Sequence, residues 1–347
     1  FADAFGFVEE REETLRGAKA VEHAALLAPV LDADLPADEA LGDAMRGAHK
    51  ALVESHVQFD ILPSLDLDAL ERYRYVVMPD CRDYAPEVFG VLREWVDAGG
   101  TLLACGQSLL REDNAFELED VFGIEYLEPS VFSVSHFRPH EEVRGETADL
   151  QLQLRGGSVK VMPAGAEVLA DYIYPQIEST RTYAFRHSCA PPSLKASPYP
   201  FAMINEFGAG RGVYVAGSVF RVYWETNHHW LRQFVEGLWG HIDPEPPCRV
   251  DMSGIVESNL LRLEGGDLLL NLIHYQVGHQ GAQSAIPSIE RVHPIHDIPC
   301  QVKAPGATSV TLEPSGEELQ FTMEGDYASF TVPEVQHLGM VRVNKGG

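Results

Sequence analysis

The sequence predicts an α/β fold, a doubly wound parallel sheet followed by a small antiparallel β-sandwich. Three observations carry that prediction. From residue 21 to about residue 124, short apolar runs alternate with segments of helical period, the pattern of parallel strands joined by crossover helices. The stretch DPEPP, from Asp243 to Pro247, then suppresses both helix and sheet ladder and reads as a linker. Beyond it, seven short strand-like runs follow one another with Gly, Pro and Asp turn signals between them, as in a sandwich.

Taken in order, the first strand is expected at 24–29. Leu41, Ala44, Met45, Ala48 and Leu52 recur at helical spacing, with Pro36 near the start and Asp38 and Glu39 at the positive end of the dipole, which predicts a crossover helix. A second strand falls at 58–62. The third, YVVMP at 75–79, is apolar throughout, as a strand covered on both faces must be. Pro86 suits a first helical turn, Val88, Phe89, Leu92, Trp95 and Val96 make one apolar face, and Gly99 with Gly100 supplies the stop. A fourth strand at 101–104 runs into Cys105, Gly106, Gln107 and Ser108. From 127 to 200 the pattern loosens into strand-like runs at 150–154, 159–162 and 168–173, an antiparallel extension or insertion. Order returns with a strand at 201–205, a Gly-rich hairpin turn at 208–212, a strand at 213–216 and a helix bearing Trp230, Leu231, Phe234, Val235 and Leu238. In the sandwich, strands are expected at 259–262, 267–272, 300–303, 309–312, 319–323, 328–332 and 339–343.

A chain of 347 residues holds about two domains of ~100–200 residues each. Its 45% hydrophobic, 22% charged and 9% aromatic content is globular rather than disordered, collagenous or coiled-coil. No apolar run approaches the ~20 residues of a membrane-spanning helix. Fifty-two acidic residues against 26 basic ones give a formal charge of −26, which repels phosphate backbones and anionic lipid surfaces; no nucleic acid and no membrane is expected as a partner. Cys81, Cys105, Cys189, Cys248 and Cys300 are odd in number, widely spaced and without a C-x-x-C pair. Reduced thiols, and with them a cytoplasmic setting, are the expectation rather than a zinc ribbon or disulfide scaffold. Phe1, Phe5 and Val8 share a helical face ahead of the charged stretch 9–13, like the last turns of an element begun upstream. The chain is therefore expected to be the C-terminal piece of a longer protein.

Two places concentrate chemistry. Cys105 stands at the end of the fourth parallel strand, where doubly wound sheets bind ligands. A strained nucleophile elbow needs small residues two positions to either side, and Leu103 and Gln107 are not small. Without a basic partner such a thiol, with a pKa near ~8.5, stays protonated at neutral pH, so a structural role is the expectation. The second place is the stretch 220–230, read as a loop, where Tyr223, Trp224, Glu225, His228 and His229 combine rings with hydrogen-bonding groups. These five are candidates for the wall of a sugar site; the plainer reading has Thr226 or Asn227 capping the last helix and Trp230 buried. Glu225 and His228 at i and i+3 could share a metal, but third and fourth ligands cannot be named, so no metal is expected. His293 and His296 form another H-x-x-H, inside the sandwich beside Pro294 and Ile295, and read as ordinary strand or loop. The G-x-G-x-G at 208–212 lacks the flanking strand and helix of a dinucleotide site. No cofactor is called for.

The run GGTLLACGQS at 99–108 resembles the flavodoxin and class I glutamine-amidotransferase-like folds, in the second of which the nucleophilic cysteine follows this strand. That fold places its His-Pro-Glu base after the strand matching 213–215, where this chain reads AGSV at 216–219. A wider resemblance runs along the chain, through Gly17, Ala18 and Lys19 after the acidic stretch, 75–80, 99–103, NEFGAGRGVY at 205–214, DLLLNLIHY at 267–275, Pro294 with Ile295, and VTLEP at 310–314. In that order these segments resemble the C-terminal half of glycoside hydrolases of the family 42 β-galactosidase type and their α-L-fucosidase-like relatives. The resemblance implies that residues 1–20 are the tail of a catalytic (β/α)8 barrel and its linker, 21–242 an amidotransferase-like trimerisation domain and 248–347 a C-terminal β-sandwich. It implies that the catalytic acid and nucleophile belong to the upstream barrel, with a homotrimer and the parent enzyme's carbohydrate as partners. Two other readings remain open at this point, a free-standing amidotransferase-like hydrolase using Cys105 and a carbohydrate-binding module around Trp224 and Trp230.

Overall fold

Five strands form the parallel half of a nine-stranded sheet. The computed structural model describes residues 2–29, 39–64, 66–81, 84–111, 115–146, 149–176, 191–193, 197–252, 254–275 and 291–346. They fall into an α/β unit, His23–Ala51 with Phe59–Pro244, and a β unit, Phe1–Glu22 with Leu52–Gln58 and Glu245–Gly347.

Across the large sheet the strands run Phe59–Pro63, Ala24–Ala28, Tyr75–Met78, Thr101–Cys105 and Gly210–Val215, all parallel, then Pro200–Phe207, Glu167–Ile173, Val134–Pro139 and Leu152–Arg155, all antiparallel. Numbered along the chain, the parallel five lie in the order 2-1-3-4-5, which is the flavodoxin order. Every residue of Tyr75–Met78 and Thr101–Cys105 is buried, the physical reason for their unbroken apolar runs. The helix Glu39–Glu54 makes the first crossover; Pro36 and Asp38 lie outside the described residues. A short 3-10 turn, Leu67–Arg72, lies in the second crossover, and the helix Pro86–Asp97 makes the third, with Pro86 in its first turn and Val88, Phe89, Leu92 and Val96 buried. It stops because Gly99 takes a φ of +123°, a conformation that side chains with a Cβ rarely adopt. Gly47 serves space instead, since a Cβ there would lie 1.9 Å from the main-chain oxygen of Phe220. Helix Glu39–Glu54 can therefore approach the helix Val219–Thr226 only through a glycine.

The loosely patterned region is an extension of the same sheet. Val134–Pro139, Leu152–Arg155 and Glu167–Ile173 continue it, while Ile124–Pro129 pairs with Val159–Pro163 in a separate two-stranded ribbon. At the expected hairpin, Phe207 pairs with Gly210, so the turn is Gly208 and Ala209, and Gly210 to Gly212 already belong to the strand.

The β unit is a sandwich. One sheet orders Lys19–Ala20, Val256–Arg262, Leu268–His274, Leu338–Lys345, Ala307–Glu313 and Glu317–Glu318; the other orders Cys248–Val250, Ile295–Lys303, Tyr327–Val335 and Phe321–Glu324. Alternation sends Leu268, Leu270 and Leu272 from the first and Ile298, Cys300, Val302, Phe330 and Val332 from the second into a shared core. The opposite face of the first sheet carries a smaller cluster of Leu263, Leu269 and Met340. The helix Ala2–Leu15 leaves Phe5 and Val8 exposed.

Candidate functional site

In the order 2-1-3-4-5 the ligand crevice of a doubly wound sheet opens between strands one and three, at their carboxyl ends. Here that position lies between Ala24–Ala28 and Tyr75–Met78; residues 30–38, which follow the first of these strands, lie outside the described residues. Tyr84, buried, donates its phenolic proton to the carbonyl of Leu27 at 2.8 Å. Burial pushes that phenol well above its usual pKa, and the neighbouring Cys81 adds to the effect. Asp80, just after Tyr75–Met78, accepts the backbone N–H of Gln107 at 2.5 Å and the hydroxyl of Ser218. The Ser218 oxygen also lies 2.9 Å from the carbonyl of Gly157, so one hydroxyl proton is shared between two acceptors.

Cys105 is the last residue of its strand and has no exposed surface. It pairs in register with Val215, and Gly106 N–H donates to the Val215 carbonyl at 2.8 Å. The chain thus leaves the sheet in regular pairing rather than through a sharp elbow. Burial, then the charge of Asp80 and then Cys81, hold the thiol well above its ordinary pKa, the opposite of what a nucleophile needs. Ser218, in the segment where the amidotransferase base would stand, is tied to Asp80. His136 is buried and its pKa is lowered by burial to about 4, but its strand lies four places along the sheet from that of Cys105.

The stretch expected to be a loop is helical. Val219–Thr226 and His229–Ile242 are joined by Asn227, at φ +50°, and His228; Val219, Phe220, Val222 and Tyr223 supply the buried face that makes the first a helix. Tyr223 is therefore buried, and Lys50 Nζ donates to its hydroxyl at 3.1 Å. Trp224 is exposed, with the Arg46 guanidinium 5.8 Å from its ring centre. Glu225 pairs with Arg221 at 2.5 Å, one helical turn back. His228 and His229 are exposed with rings 5.7 Å apart and nearly parallel, and Trp230 lies 5.1 and 5.2 Å from them. Burial, then the charge of His229, lowers the His228 pKa. Trp230 is 37% exposed rather than buried; it stands in the first turn of its helix, at the edge of the apolar face made by Leu231, Phe234 and Val235. His228, not Thr226 or Asn227, occupies the N-cap position, and its side chain makes no capping bond. The structure thus brings His228, His229 and Trp230 together, sets Trp224 beside Arg46, and withdraws Tyr223 into the core.

Among the described residues no group of three or more His, Cys, Asp or Glu could hold a metal. His296 is exposed near the start of Ile295–Lys303, 3.5 Å from Glu334; Cys189 lies outside the described residues. No described helix is long and apolar enough to cross a membrane. Asp80 and Ser218 form a polar pair that sequence reasoning did not connect. A polar residue directly after a fully apolar parallel strand was the available signal for Asp80; Ser218 gave none.

The chain matches solved structures from end to end. It superposes on α-L-fucosidase isoenzyme 2 from Paenibacillus thiaminolyticus with a TM-score of 0.86, at 21% identity, over 99% of this chain and 52% of that one. It shares its fold with part of a glycosidase. Gan42B, a GH42 β-galactosidase from G. stearothermophilus, matches with a TM-score of 0.61 at 13% identity, over 99% of this chain and 43% of its own. A β-galactosidase from Bacillus circulans sp. alkalophilus matches with 0.59 at 14% identity, over 99% and 44%. The chain thus spans about half the length of the solved relatives it matches. No family model matches it, and no curated protein matches it by sequence.

Proposed function

We propose that this chain is the non-catalytic accessory and oligomerisation half of a carbohydrate-active enzyme, a β-galactosidase-like glycoside hydrolase. Its catalytic (β/α)8 barrel lies upstream in the same protein, and the assembly is a homotrimer. The observation that carries the reading is the match of 99% of the chain to about half of an α-L-fucosidase and of GH42 β-galactosidases. On this reading Trp224, Glu225, His228 and His229, with Tyr223 beneath them, wall the sugar site of the barrel.

Two measurements test the proposal. The chain alone should show no hydrolysis of nitrophenyl β-galactoside or α-fucoside and no glutaminase activity, whereas the full-length protein should hydrolyse one of the glycosides. Light scattering should give three times the 38.3 kDa chain mass; a monomer at micromolar concentration contradicts the oligomerisation role, because a stable interface of ~1,000 Å² or more survives that dilution. The rival reading as a hydrolase using Cys105 predicts a measurable activity lost on alkylation. The reading as a carbohydrate-binding module is favoured by the exposed Trp224 and Trp230 and predicts sugar-dependent quenching of their fluorescence.

A further inference from the structure

The four-stranded sheet of the β unit turns a polar face outward. Register places Arg249 opposite Gln301, Gln301 opposite Ser329 and Ser329 opposite Thr322, one row across all four strands. The alternate residues Cys300, Val302, Phe330 and Val332 go to the core. The outer row, with Glu324 and Thr331, borders an open groove of about 830 Å³, a volume within the ~300–1,000 Å³ of small-molecule sites. Phe321 and Pro299 add apolar surface to its walls.

The polar groups are held in place. The amide oxygen of Gln301 accepts from Arg249 Nη1 at 3.1 Å, and its nitrogen donates to Glu324 Oε2 at 2.9 Å and to Ser329 Oγ at 3.0 Å. Gln301 is thus a strut between a cation and a carboxylate. The Arg249 guanidinium also lies 4.4 Å over the ring of Tyr327, whose hydroxyl donates to the Pro246 carbonyl at 2.7 Å. A guanidinium fixed by a ring and a strut is preorganised, so binding orders it little further.

These features select a ligand. A guanidinium fork can donate to two neighbouring oxygens and a carboxylate can accept from two neighbouring hydroxyls, which suits vicinal diols. A polyanion would meet Asp251 and Glu324 in the groove and a chain charge of −26. We propose that the groove bordered by Arg249, Gln301 and Glu324 binds a neutral oligosaccharide; the inference rests on the accessory reading only in the choice of sugars to test.

Calorimetry of the whole chain with β-1,4-galacto-oligosaccharides and with fucosyllactose should give a Kd of ~0.1–10 mM for at least one, with oligogalacturonate at least ~10-fold weaker. Arg249→Ala and Glu324→Ala should each weaken binding by ~10-fold or more without changing Tm. Thr331→Trp, which obstructs the groove from an exposed position, should abolish binding even if the other variants prove unstable. Absence of binding by both neutral sugars, or oligogalacturonate binding as tightly as they do, overturns the proposal. So does binding that survives Thr331→Trp and is lost in Trp224→Ala, which moves the sugar to the other unit. None of these results alters the oligomer mass or the full-length activity, so the accessory reading stands or falls separately.

Discussion

The Nε2 of His23 lies 2.6 Å from Oδ2 of Asp243, a residue 220 positions further along the chain. The other carboxylate oxygen accepts the phenolic proton of Tyr75 at 3.0 Å. The residue before the first parallel strand, the first residue of the third and the residue that ends the last helix are thereby fastened together. Burial and the Asp243 charge raise the Tyr75 phenol to about 12, so it stays a donor at any working pH.

Asp243→Ala should therefore destabilise the chain by ~3 kcal/mol, because it strands the buried Tyr75 and the partly buried His23. Tyr75→Phe removes one hydrogen bond and should cost about 1 kcal/mol. Urea unfolding of the two variants checks this: equal midpoints would mean that the His23–Asp243 contact contributes nothing beyond the tyrosine bond.

His136 provides the pH dependence. It is buried, and burial holds its pKa at about 4 against about 6.5 in an unfolded chain. The unfolded state takes up a proton at higher pH than the folded state, so stability is full above pH 6.5 and falls as pH drops toward 4. The loss levels off below that at up to ~3 kcal/mol. The variant His136→Gln should lack this component. The difference in unfolding free energy between wild type and variant should shrink by that amount between pH 7 and pH 4; a constant difference would show that His136 is protonated alike in both states.

Cys105 has no exposed surface and a pKa held well above normal, so iodoacetamide should label it at neutral pH only after denaturant is added. Cys105→Ala leaves a small void and should cost about 1 kcal/mol. Rapid labelling of the native chain at Cys105, measured by peptide mass spectrometry, would contradict the structural role.

Much of the fold was legible because both faces of the central strands are covered. YVVM at 75–78 and LLAC at 102–105 are apolar without interruption, and they belong to strands buried at every position. Each of the seven runs in the sandwich likewise contains a strand, since alternation between core and solvent writes itself into Leu268–His274 and Tyr327–Val335. The helix Val219–Thr226 was not legible. Its residues Val219, Phe220, Val222 and Tyr223 are β-branched or aromatic and weak helix formers, and tertiary burial of that face overrides their propensity. The role of Asp243 was hidden for a different reason. It opens a proline-rich linker, and its partners His23 and Tyr75 are distant in sequence, so nothing local marks it as buried. At the candidate site the exposed group of His228, His229 and Trp230 was visible as a composition. The burial of Tyr223 was not, because only the helical period separates it from Trp224.

That separation of Tyr223 from Trp224 shapes the last prediction. Trp224 is 42% exposed, on a helix anchored by its opposite face, and its only described ring partner is Arg46. Removing its indole should leave the core intact, so Trp224→Ala should change Tm little, whereas Tyr223→Ala should lower stability by ~3 kcal/mol through the void it leaves. If the patch walls the sugar site of the full-length enzyme, Trp224 binds substrate and transition state alike, and its loss raises KM while kcat holds. An indole supplying ~1–2 kcal/mol of contact corresponds to a KM increase of roughly 5- to 30-fold. His229→Ala should act in the same direction with a smaller effect, since an imidazole offers less surface. Steady-state kinetics with the preferred nitrophenyl glycoside, on protein whose oligomer mass is unchanged, decides the matter: unaltered KM and kcat for Trp224→Ala would leave the patch a surface feature of the scaffold.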